Sequence, residues 1–359
     1  MNVAPHVIVI GAGIIGASAA YHLARAGARV TVLAQSPGGV ATPNSFSWIN
    51  ASWGNDPAYF RLRLESMQRW RRLEQEIPGL GLSWGGSITY DLSQAELHRY
   101  ADDFGARGYP LRLVDAAEIR QLAPNLARPP DLAVYAEAEG ALEQGIATPA
   151  LLKASAAVFH QTTVHGLDTR GQRVVSAMTG EGPVAGDHFV LAAGMGTSQL
   201  LATVGVRLDL DGPPGLIVHT RPLPRLLRQL IIAPEIHIRQ TLDGKLIVGS
   251  DFGGSPIDKG PAIVAEDLLS LLRSQILGAE EVSMARYTVG YRPTPRDERP
   301  IAGPVPGIDR LYVAVMHSGI TNAPSIGAAA AEAILKGSES ELIKPYGIER
   351  FLGSQRELP

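Results

Sequence analysis

The sequence predicts a mixed α/β fold in which a Rossmann-like unit is interleaved with an antiparallel sheet. Two observations support this prediction. Val7–Ile10 is a run of four β-branched residues, typical of a strand buried on both faces, and the glycine-rich stretch GAGIIG follows it directly. Further along, residues 216–251 have a strand-like pattern and contain Asp243–Gly244, a strong hairpin signal.

The elements around the glycines fit one βαβ crossover of about 30 residues. Ile14–Arg25 is rich in small and apolar residues, which favours a buried helix closed by Gly27, and Arg29–Leu33 is the second strand. An amphipathic helix is expected over Ala58–Glu76. Its arginines alternate with glutamates, so we interpret as a solvated face the side chains of Arg61, Arg63, Arg69, Arg71 and Arg72.

The rest of the chain divides into turns, helices and strands. Pro110–Pro130 is punctuated by prolines and is expected to form surface turns with one short helix at Ala116–Gln121. The antiparallel strands after residue 216 are expected to form a sheet of their own. The other predicted elements are helices at Ala147–Phe159, Asp267–Leu277 and Pro324–Lys336 and strands at Val174–Met178, His188–Ala192, Leu216–Thr220, Glu235–Gln240, Lys245–Ser250 and Leu311–Val315.

The composition excludes several classes of function. The 359 residues are 45% hydrophobic, enough for a sizeable core, and the formal charge of −3 argues against nucleic acid as a partner. Without cysteine there is no disulfide, thiolate metal site or cysteine nucleophile, and the nine histidines lack metal-ligand spacing, so we predict no metal. No basic-then-apolar leader and no span of about 20 apolar residues is found, so we expect a cytoplasmic protein, with loose peripheral membrane attachment as the alternative.

Gly11, Gly13 and Gly16 form the dinucleotide-binding motif G-x-G-x-x-G in its proper context, between a strand and a helix. The first glycine permits the tight turn, the second lets backbone approach a pyrophosphate, and the third lets the helix pack on the strand. The helix N-terminus, with Ile14 and Ile15, then points its amides at the phosphates.

The second strand departs from the usual dinucleotide pattern. It should end in an acidic residue that accepts hydrogen bonds from the ribose, but here Ala34 and Gln35 follow Leu33. Gln35 is the candidate replacement, because it can accept a hydrogen bond. What replaces the lost carboxylate at Ala34 stays open.

Five stretches, in order, resemble the D-amino-acid oxidase family, which includes glycine oxidases, sarcosine oxidases and D-amino-acid dehydrogenases. They span nearly the whole chain: the N-terminal VIVIGAGIIGASAAYHLARAGARVTVL, PNSFSWINASWG at residues 43–54, FVLAAGMGTSQL at 189–200, GYRPTPRDERPIAG at 290–303 and LYVAVMHSGITNAPSIGAAAAEAIL at 311–335. The resemblance implies a Rossmann-like FAD-binding domain of residues 1–80, 145–205 and 295–359. It implies an antiparallel-sheet substrate domain of residues 81–144 and 206–294.

The resemblance also implies the site residues. Three residues are implied to bind the substrate: Arg292 matches the arginine that grips a substrate carboxylate, His317 lies beside the flavin, and His237 falls where glycine oxidases have a pocket tyrosine. No catalytic acid or base is assigned. The residues implied to contact non-covalently bound FAD are Gly11, Gly13, Ile14, Ile15, Gly16, Gln35, Ser45, Ser47, Val164, Ala193, Gly194, Gly319, Ile320, Thr321 and Asn322.

The implied reaction is oxidation of a small carboxylated amine by hydride transfer to the flavin, giving an imine that water hydrolyses. The electron acceptor is left open between oxygen, a quinone and a partner flavoprotein. Two alternatives also stay open: a flavin-binding subunit of a heteromeric amine or opine dehydrogenase, and a nicotinamide dehydrogenase that uses the same turn. Neither the particular amine nor the oligomeric state is assigned.

Overall fold

The computed structural model describes residues 4–52, 54–250, 257 and 259–352. Trp53, within the second family-like stretch, and Asp251, at the end of the strand-like region, lie outside them. The helices are α1 (Ile14–Arg25), α2 (Pro57–Glu76), α3 (Gln94–Ala106), α4 (Ala116–Leu122), α5 (Gln144–Ser155), α6 (Thr197–Ala202), α7 (Pro261–Gln275), α8 (Gly319–Lys336) and α9 (Glu349–Leu352).

The strands, numbered in chain order, are short and most are buried. They are β1 (His6–Ile10), β2 (Arg29–Ala34), β3 (Trp48–Ile49), β4 (Leu82–Ser83), β5 (Ser87–Thr89), β6 (Leu111–Asp115), β7 (Leu132–Ala136), β8 (Gly140–Leu142), β9 (Val158–Gln161), β10 (Val164–Arg170), β11 (Arg173–Thr179), β12 (Gly182–Ala185), β13 (His188–Leu191), β14 (Leu210–Asp211), β15 (Pro214–Thr220), β16 (Leu230–Ile232), β17 (His237–Gln240), β18 (Leu246–Gly249), β19 (Met284–Tyr291), β20 (Thr294–Pro295), β21 (Ile301–Pro304) and β22 (Leu311–Val315).

A six-stranded sheet with the order β21-β22-β13-β1-β2-β9 contains the predicted βαβ unit. β1 pairs in parallel with β2 on one side and with β13 on the other, and only the edge strand β21 runs antiparallel. The four residues Val7–Ile10 are 0–2% exposed, as a strand covered on both faces requires. The helices α1 and α8 pack against each other beside this sheet.

The second large sheet has eight strands in the order β19-β15-β18-β17-β16-β5-β7-β6. The prediction that the strands after residue 216 form a sheet of their own is therefore wrong. β16 pairs in parallel with β5, which joins the later strands to β5, β6 and β7. All three residues of β16 are buried, so its second edge needs a partner for its backbone groups.

Three smaller sheets complete the described structure: β10-β11-β12, β14-β20 and β3-β8-β4. In the last of these, β3 brings the segment after residue 42 against β8. None of the described helices has the length and apolar character needed to cross a bilayer.

The bounds of two predicted helices are wrong, and one strand was not predicted. The helix predicted at Asp267–Leu277 begins six residues earlier, at Pro261, and ends at Gln275. The helix predicted to reach Phe159 ends at Ser155, where Ala156 adopts a left-handed φ of 51°, and Phe159 lies in the edge strand β9. The region 110–130 contains the strand Leu111–Asp115 as well as α4, although the prolines suggested only turns and one helix. That strand pairs with β7 over its whole length.

The helix α8 begins at Gly319, five residues before the predicted start at Pro324. Pro324 has no N–H and would leave the carbonyl of Ile320 without its helical donor. The indole N–H of Trp70 donates to that carbonyl at 2.9 Å. A side chain from α2 thus allows the helix to continue through the proline.

Candidate active site

A cavity of about 1160 Å³ lies at the carboxyl ends of the parallel strands. Gly11, Ala34, Ala193 and Met316 line it where β1, β2, β13 and β22 end. Ligands of open α/β sheets bind outside these ends. The strands β15, β17, β18 and β19 of the eight-stranded sheet also contribute to its wall, so the cavity joins the two large sheets.

The glycine turn has the geometry that a bound pyrophosphate requires. Gly11 has a φ of 108°, and a Cβ atom on it would lie 2.2 Å from the carbonyl oxygen of Ala192. A Cβ on Gly16 would lie 1.9 Å from the carbonyl oxygen of Gly11. Gly16 does not line the cavity, so it fits the packing role predicted for the third glycine and not the direct contact with FAD that the resemblance implied.

The start of α1 faces the cavity through Gly13, Ile14 and Ile15. Gly13 is the N-cap residue, and it offers no side chain that would compete with a ligand for the helix amides. The amide of Ile14 donates to the Thr42 hydroxyl at 3.0 Å. Thr42 therefore ties the start of α1 to the segment that follows.

Ala34 and Gln35, at the end of β2, both line the cavity. The Gln35 amide group donates to the Thr163 hydroxyl at 3.2 Å, which orients its oxygen and nitrogen. Val164, predicted to contact adenine through its backbone, also lines the cavity. Ala34 carries no acceptor in its side chain, so the ribose contact typical of this fold is absent at that position.

The segment with Ser45 and Ser47 forms another part of the wall. Ser47 adopts a φ of 65°, which costs a non-glycine residue about 1–2 kcal/mol. Two hydrogen bonds stabilise it: the Ser45 hydroxyl accepts from the Ser47 amide at 3.0 Å, and the Ser47 hydroxyl donates to Gln144 at 2.8 Å.

The chain returns to the cavity after β13, where Ala193 and Gly194 line it. Gly194 has a φ of 56° and begins a short 3₁₀-helix over Gly194–Gly196. The turn keeps backbone, rather than side chains, at this part of the cavity surface. A ligand can therefore approach the main chain closely here.

The first turn of α8 points its amide groups at the cavity. Gly319, Ile320 and Thr321 line it, and the side chain of the N-cap residue Ser318 caps none of these amides. The uncapped start of a helix carries about half a positive charge. An anion, or charge that develops on a ligand, is stabilised there.

Three residues of α2 donate hydrogen bonds to the start of α8. Arg63 donates to the Ser318 hydroxyl at 3.0 Å, Ser66 to the carbonyl of Asn322 at 3.3 Å, and Trp70 to that of Ile320 at 2.9 Å. They are spaced three and four residues apart, so they share one face of α2. The start of α8 is thereby fixed against α2.

Asn322 does not line the cavity, unlike the three residues before it. It is fully buried, and its amide group donates to the Tyr59 hydroxyl at 3.1 Å. The prediction that Asn322 contacts the cofactor is therefore wrong for its side chain. The prediction placed these residues in a loop before the helix, whereas a helical turn rotates the fourth residue away from the cavity.

Arg63 was predicted to lie on a solvated face, and this is wrong. It is 7% exposed and lines the cavity. Its Nε–H donates to the Asn50 carbonyl at 2.9 Å, and no carboxylate of the described residues lies within ion-pair distance. Helical spacing from Tyr59 and Trp70 puts Arg63 on the apolar stripe of α2, and that spacing is the sequence signal that was missed.

Arg292 follows β19, lines the cavity and is half-buried. Its guanidinium lies against Gly215 of β15, where a Cβ atom would come within 2.7 Å of Nη2. His237 lies on β17, is 5% exposed and packs edge-on against the Phe46 ring at a centroid distance of 6.3 Å. Arg292 and His237, two of the three predicted substrate-binding residues, thus share the cavity with the start of α8.

His317 immediately precedes the start of α8, and its ring is open to the cavity. Its Nδ1 lies 2.8 Å from the Ser318 hydroxyl. Although the ring has solvent access through the cavity, desolvation by the surrounding protein, with the positive charges of Arg63 and Arg292, lowers the pKa of His317 to about 4. The imidazole is therefore neutral near pH 7.

A buried carboxylate, Glu139, supports Trp48 of the cavity wall. Glu139 is fully buried and accepts from the Trp48 indole at 2.8 Å, from Ser87 at 2.7 Å and from Ser52 and Tyr109 at 3.0 Å each. Burial raises the pKa of Glu139, and the four donors oppose this effect. No sequence pattern singled out Glu139. Within the described parts of the chain, no three acidic, histidine or cysteine side chains cluster as a metal site.

These features fit a dinucleotide with a second, smaller ligand beside it. Gly11 leaves space where a side chain would collide with the backbone, and the starts of α1 and α8 both face the cavity. Fold and site together define a Rossmann-type dinucleotide-binding protein with an adjoining ligand pocket.

The chain belongs to the FAD dependent oxidoreductase family (DAO), whose sequence pattern matches residues 6–333. It is therefore an FAD-dependent oxidoreductase, as the family resemblance predicted, and the predicted cofactor is confirmed. The glycine oxidase of Pseudomonas aeruginosa is 28% identical over 349 residues, with 89% of this chain and 92% of the relative covered. The glycine oxidase of Bacillus licheniformis is 25% identical, with 98% and 97% covered.

Solved structures agree with the fold. The iminodiacetate oxidase of Chelativorans sp. BNC1 superposes with a TM-score of 0.82 at 26% identity, covering 95% of this chain and 98% of that one. L-proline dehydrogenase of P. horikoshii superposes with a TM-score of 0.85 at 22% identity, covering 98% of both chains. The predicted α/β architecture is confirmed.

Proposed function

We propose that this protein oxidises a small amine that carries a carboxylate, either an amino acid or an N-substituted amino acid. The observation that supports the proposal is the position of Arg292 in the same cavity as the start of α8. A guanidinium offers a carboxylate two parallel hydrogen bonds and stays charged when partly buried. The named substrates of the similar proteins, glycine, iminodiacetate and L-proline, are all carboxylated amines.

In this proposal Arg292 binds the carboxylate and so fixes the direction of the substrate's α-carbon. His237 and Phe46 pack together and restrict the volume beside it. Bound FAD supplies the hydride acceptor that turns the amine into an imine, which water then hydrolyses. The chain's contribution is orientation and exclusion of water, because a neutral amine needs no strong base to release hydride.

We further propose that FAD is held without a covalent bond by residues 1–80, 145–205 and 295–359, and that residues 81–144 and 206–294 form the substrate domain. Gly11, Gly13, Ile14 and Ile15 would surround the pyrophosphate. Gly319, Ile320 and Thr321 would stabilise negative charge on the reduced cofactor through the positive end of α8. Contacts along the rest of FAD would come from Gln35, Ser45, Ser47, Val164, Ala193 and Gly194.

The decisive experiment is anaerobic mixing of the purified flavoprotein with glycine, N-methylglycine, D-alanine, L-proline and iminodiacetate while flavin absorbance is followed. Bleaching by at least one of them is expected. Re-oxidation by oxygen or by a quinone then identifies the electron acceptor. If none bleaches the flavin until a partner protein is added, the chain is a subunit of a heteromeric dehydrogenase instead.

Arg292→Ala tests the carboxylate contact. KM should rise about 30- to 1000-fold, because a charge-assisted pair contributes about 2–4 kcal/mol, and flavin content should be unchanged. The matched control is Arg296→Ala, an exposed arginine four residues away that pairs with Asp209 at 3.1 Å. Unchanged kinetics in Arg292→Ala would remove Arg292 from the substrate site.

A further inference from the structure

The hydrogen bonds around Ser318 determine which nitrogen of His317 carries a proton. Arg63 has only donors, so the Ser318 hydroxyl must accept from its Nη1 at 3.0 Å. The single proton of Ser318 can then be donated to Nδ1 of His317, 2.8 Å away. Nδ1 is in that case an acceptor, and the neutral ring carries its proton on Nε2.

The opposite arrangement leaves a group unsatisfied. If Nδ1 carried the proton, Ser318 would accept from both Arg63 and His317. Its own proton would then lack an acceptor among the hydrogen bonds of the described residues. The Arg63–Ser318 contact is partly buried, and a donor without a protein acceptor there is unfavourable.

Arg63 is itself held firmly in place. Its Nε–H donates to the carbonyl of Asn50 at 2.9 Å, its Nη2 to the side-chain oxygen of Asn50, and its guanidinium lies 5.2 Å from the centre of the Tyr59 ring. These contacts leave Nη1 directed at Ser318. The chain Asn50–Arg63–Ser318–His317 is therefore a continuous network that ends at the cavity.

None of the described residues forms a hydrogen bond with the other ring nitrogen, Nε2. The ring lines the cavity that also holds Arg292. Of the described residues, the charged groups that act on the ring are Arg63, from α2, and Arg292, after β19, and both are positive. Two neighbouring cations favour the neutral ring, which is a donor through Nε2 only.

We infer that Arg63 and Ser318 are positioning residues that hold His317 as a neutral Nε2–H donor, and that this donor binds the substrate carboxylate beside Arg292. The inference rests on the proposed function for the identity of the ligand, but not for the state of the imidazole. It makes His317 a recognition group and not the base of the reaction.

The state of the ring is tested by ¹⁵N NMR of histidine-labelled holoprotein, with His317→Phe used to assign its signal among the nine histidines. The expected spectrum at pH 7 has an unprotonated Nδ1 and a protonated Nε2. Ser318→Ala should introduce Nδ1-protonated ring, whereas Ser318→Thr, which keeps the hydroxyl, should preserve the wild-type signals. A protonated Nδ1 in the wild type, or identical signals in Ser318→Ala, would overturn the assignment.

The contribution of Arg63 is tested in the same spectra by Arg63→Met and Arg63→Lys. Arg63→Met removes the cation and the donor, so the His317 signals should titrate at a higher pH than in the wild type. Arg63→Lys retains a charged donor and should restore most of the shift. If Arg63→Met does not fold, Ser318→Ala still decides the proposal.

The ligand is tested with acetate, whose binding is followed by its perturbation of the flavin spectrum. The dissociation constant should rise about tenfold in His317→Phe, as for one lost hydrogen bond to a charged group, and less in His317→Gln, which keeps a donor. Arg296→Ala is the unaffected control. Equal acetate binding in all variants would overturn the carboxylate contact, while failure of every amine to bleach the flavin would refute the proposed function and leave the NMR result standing.

Discussion

The guanidinium of Arg292 lies directly against Gly215, so that a Cβ atom at residue 215 would be 2.7 Å from Nη2 and 3.2 Å from Cζ. Gly215 lies in β15 opposite Gly290 of β19, and Arg292 directly follows the end of β19. The missing side chain at Gly215 therefore makes room for the cation of Arg292.

Gly215→Ala should displace Arg292 and raise KM for a carboxylated amine about tenfold, since the two-pronged contact depends on the placement of the guanidinium. Thermal stability should fall little, because the strand conformation at Gly215 suits alanine. Steady-state kinetics and a melting curve measure both. Gly145→Ala, where a Cβ meets nothing within 4 Å, is the control. An unaltered KM in Gly215→Ala would show that Arg292 tolerates displacement.

Ala34→Asp should tighten FAD binding about tenfold. Ala34 ends β2 and lines the cavity, at the place where this fold usually presents a carboxylate to the ribose hydroxyls. The measurement is the dissociation constant of FAD from reconstituted apoprotein. Ala34→Asn, similar in size and uncharged, should give a smaller gain. Weaker binding in Ala34→Asp would mean that the ribose is bound elsewhere.

Trp70→Phe should lower the free energy of unfolding by about 2–4 kcal/mol, through a cavity and an unpaired carbonyl of Ile320. Adding Pro324→Ala supplies a backbone N–H at the position where the helix lacks one. The double variant should regain about 1 kcal/mol over the sum of the single changes in urea unfolding. Strict additivity would show that the Trp70 bond to Ile320 contributes nothing to stability.

Glu298→Gly should raise the free energy of unfolding by about 1 kcal/mol. Glu298 is exposed and has a φ of 57°, a conformation that costs most residues free energy but suits glycine. Glu298→Ala keeps the Cβ atom and should give no such gain. Comparison of the two by urea unfolding separates backbone strain from the loss of charge, and equal effects would attribute the change to charge alone.

Local sequence patterns predicted the elements whose conformation depends on residues close together in the chain. The turn at Gly11 and the helix Ile14–Arg25 were predicted to the residue, because strand, glycines and helix follow one another directly. The pairing of β16 with β5 could not be predicted in this way, since it joins residues about 140 positions apart. Periodicity alone does not specify such partners.

In the candidate site, too, local motifs were predicted well and long-range contacts were not. Gly319 and Ile320, which the contiguous motif predicted to contact the cofactor, line the cavity, whereas their neighbour Asn322 is turned away by a helix that starts earlier than expected. Arg63 was missed because charge composition outweighed its position on the apolar stripe of α2. Glu139 reaches Trp48 through tertiary packing, for which the sequence holds no local signal.

The hydrogen bonds from α2 to the first turn of α8 stabilise one side of the cavity only. On the helix side, Ser66 and Trp70 of α2 donate hydrogen bonds to the start of α8, and neither residue lines the cavity. Strands β15, β17 and β19 form the other side. Mutations that remodel the strand side leave the hydrogen bonds from α2 intact. The substrate pocket is therefore separable from the cofactor support: the strand side carries Arg292 and His237, while the helix side holds the start of α8.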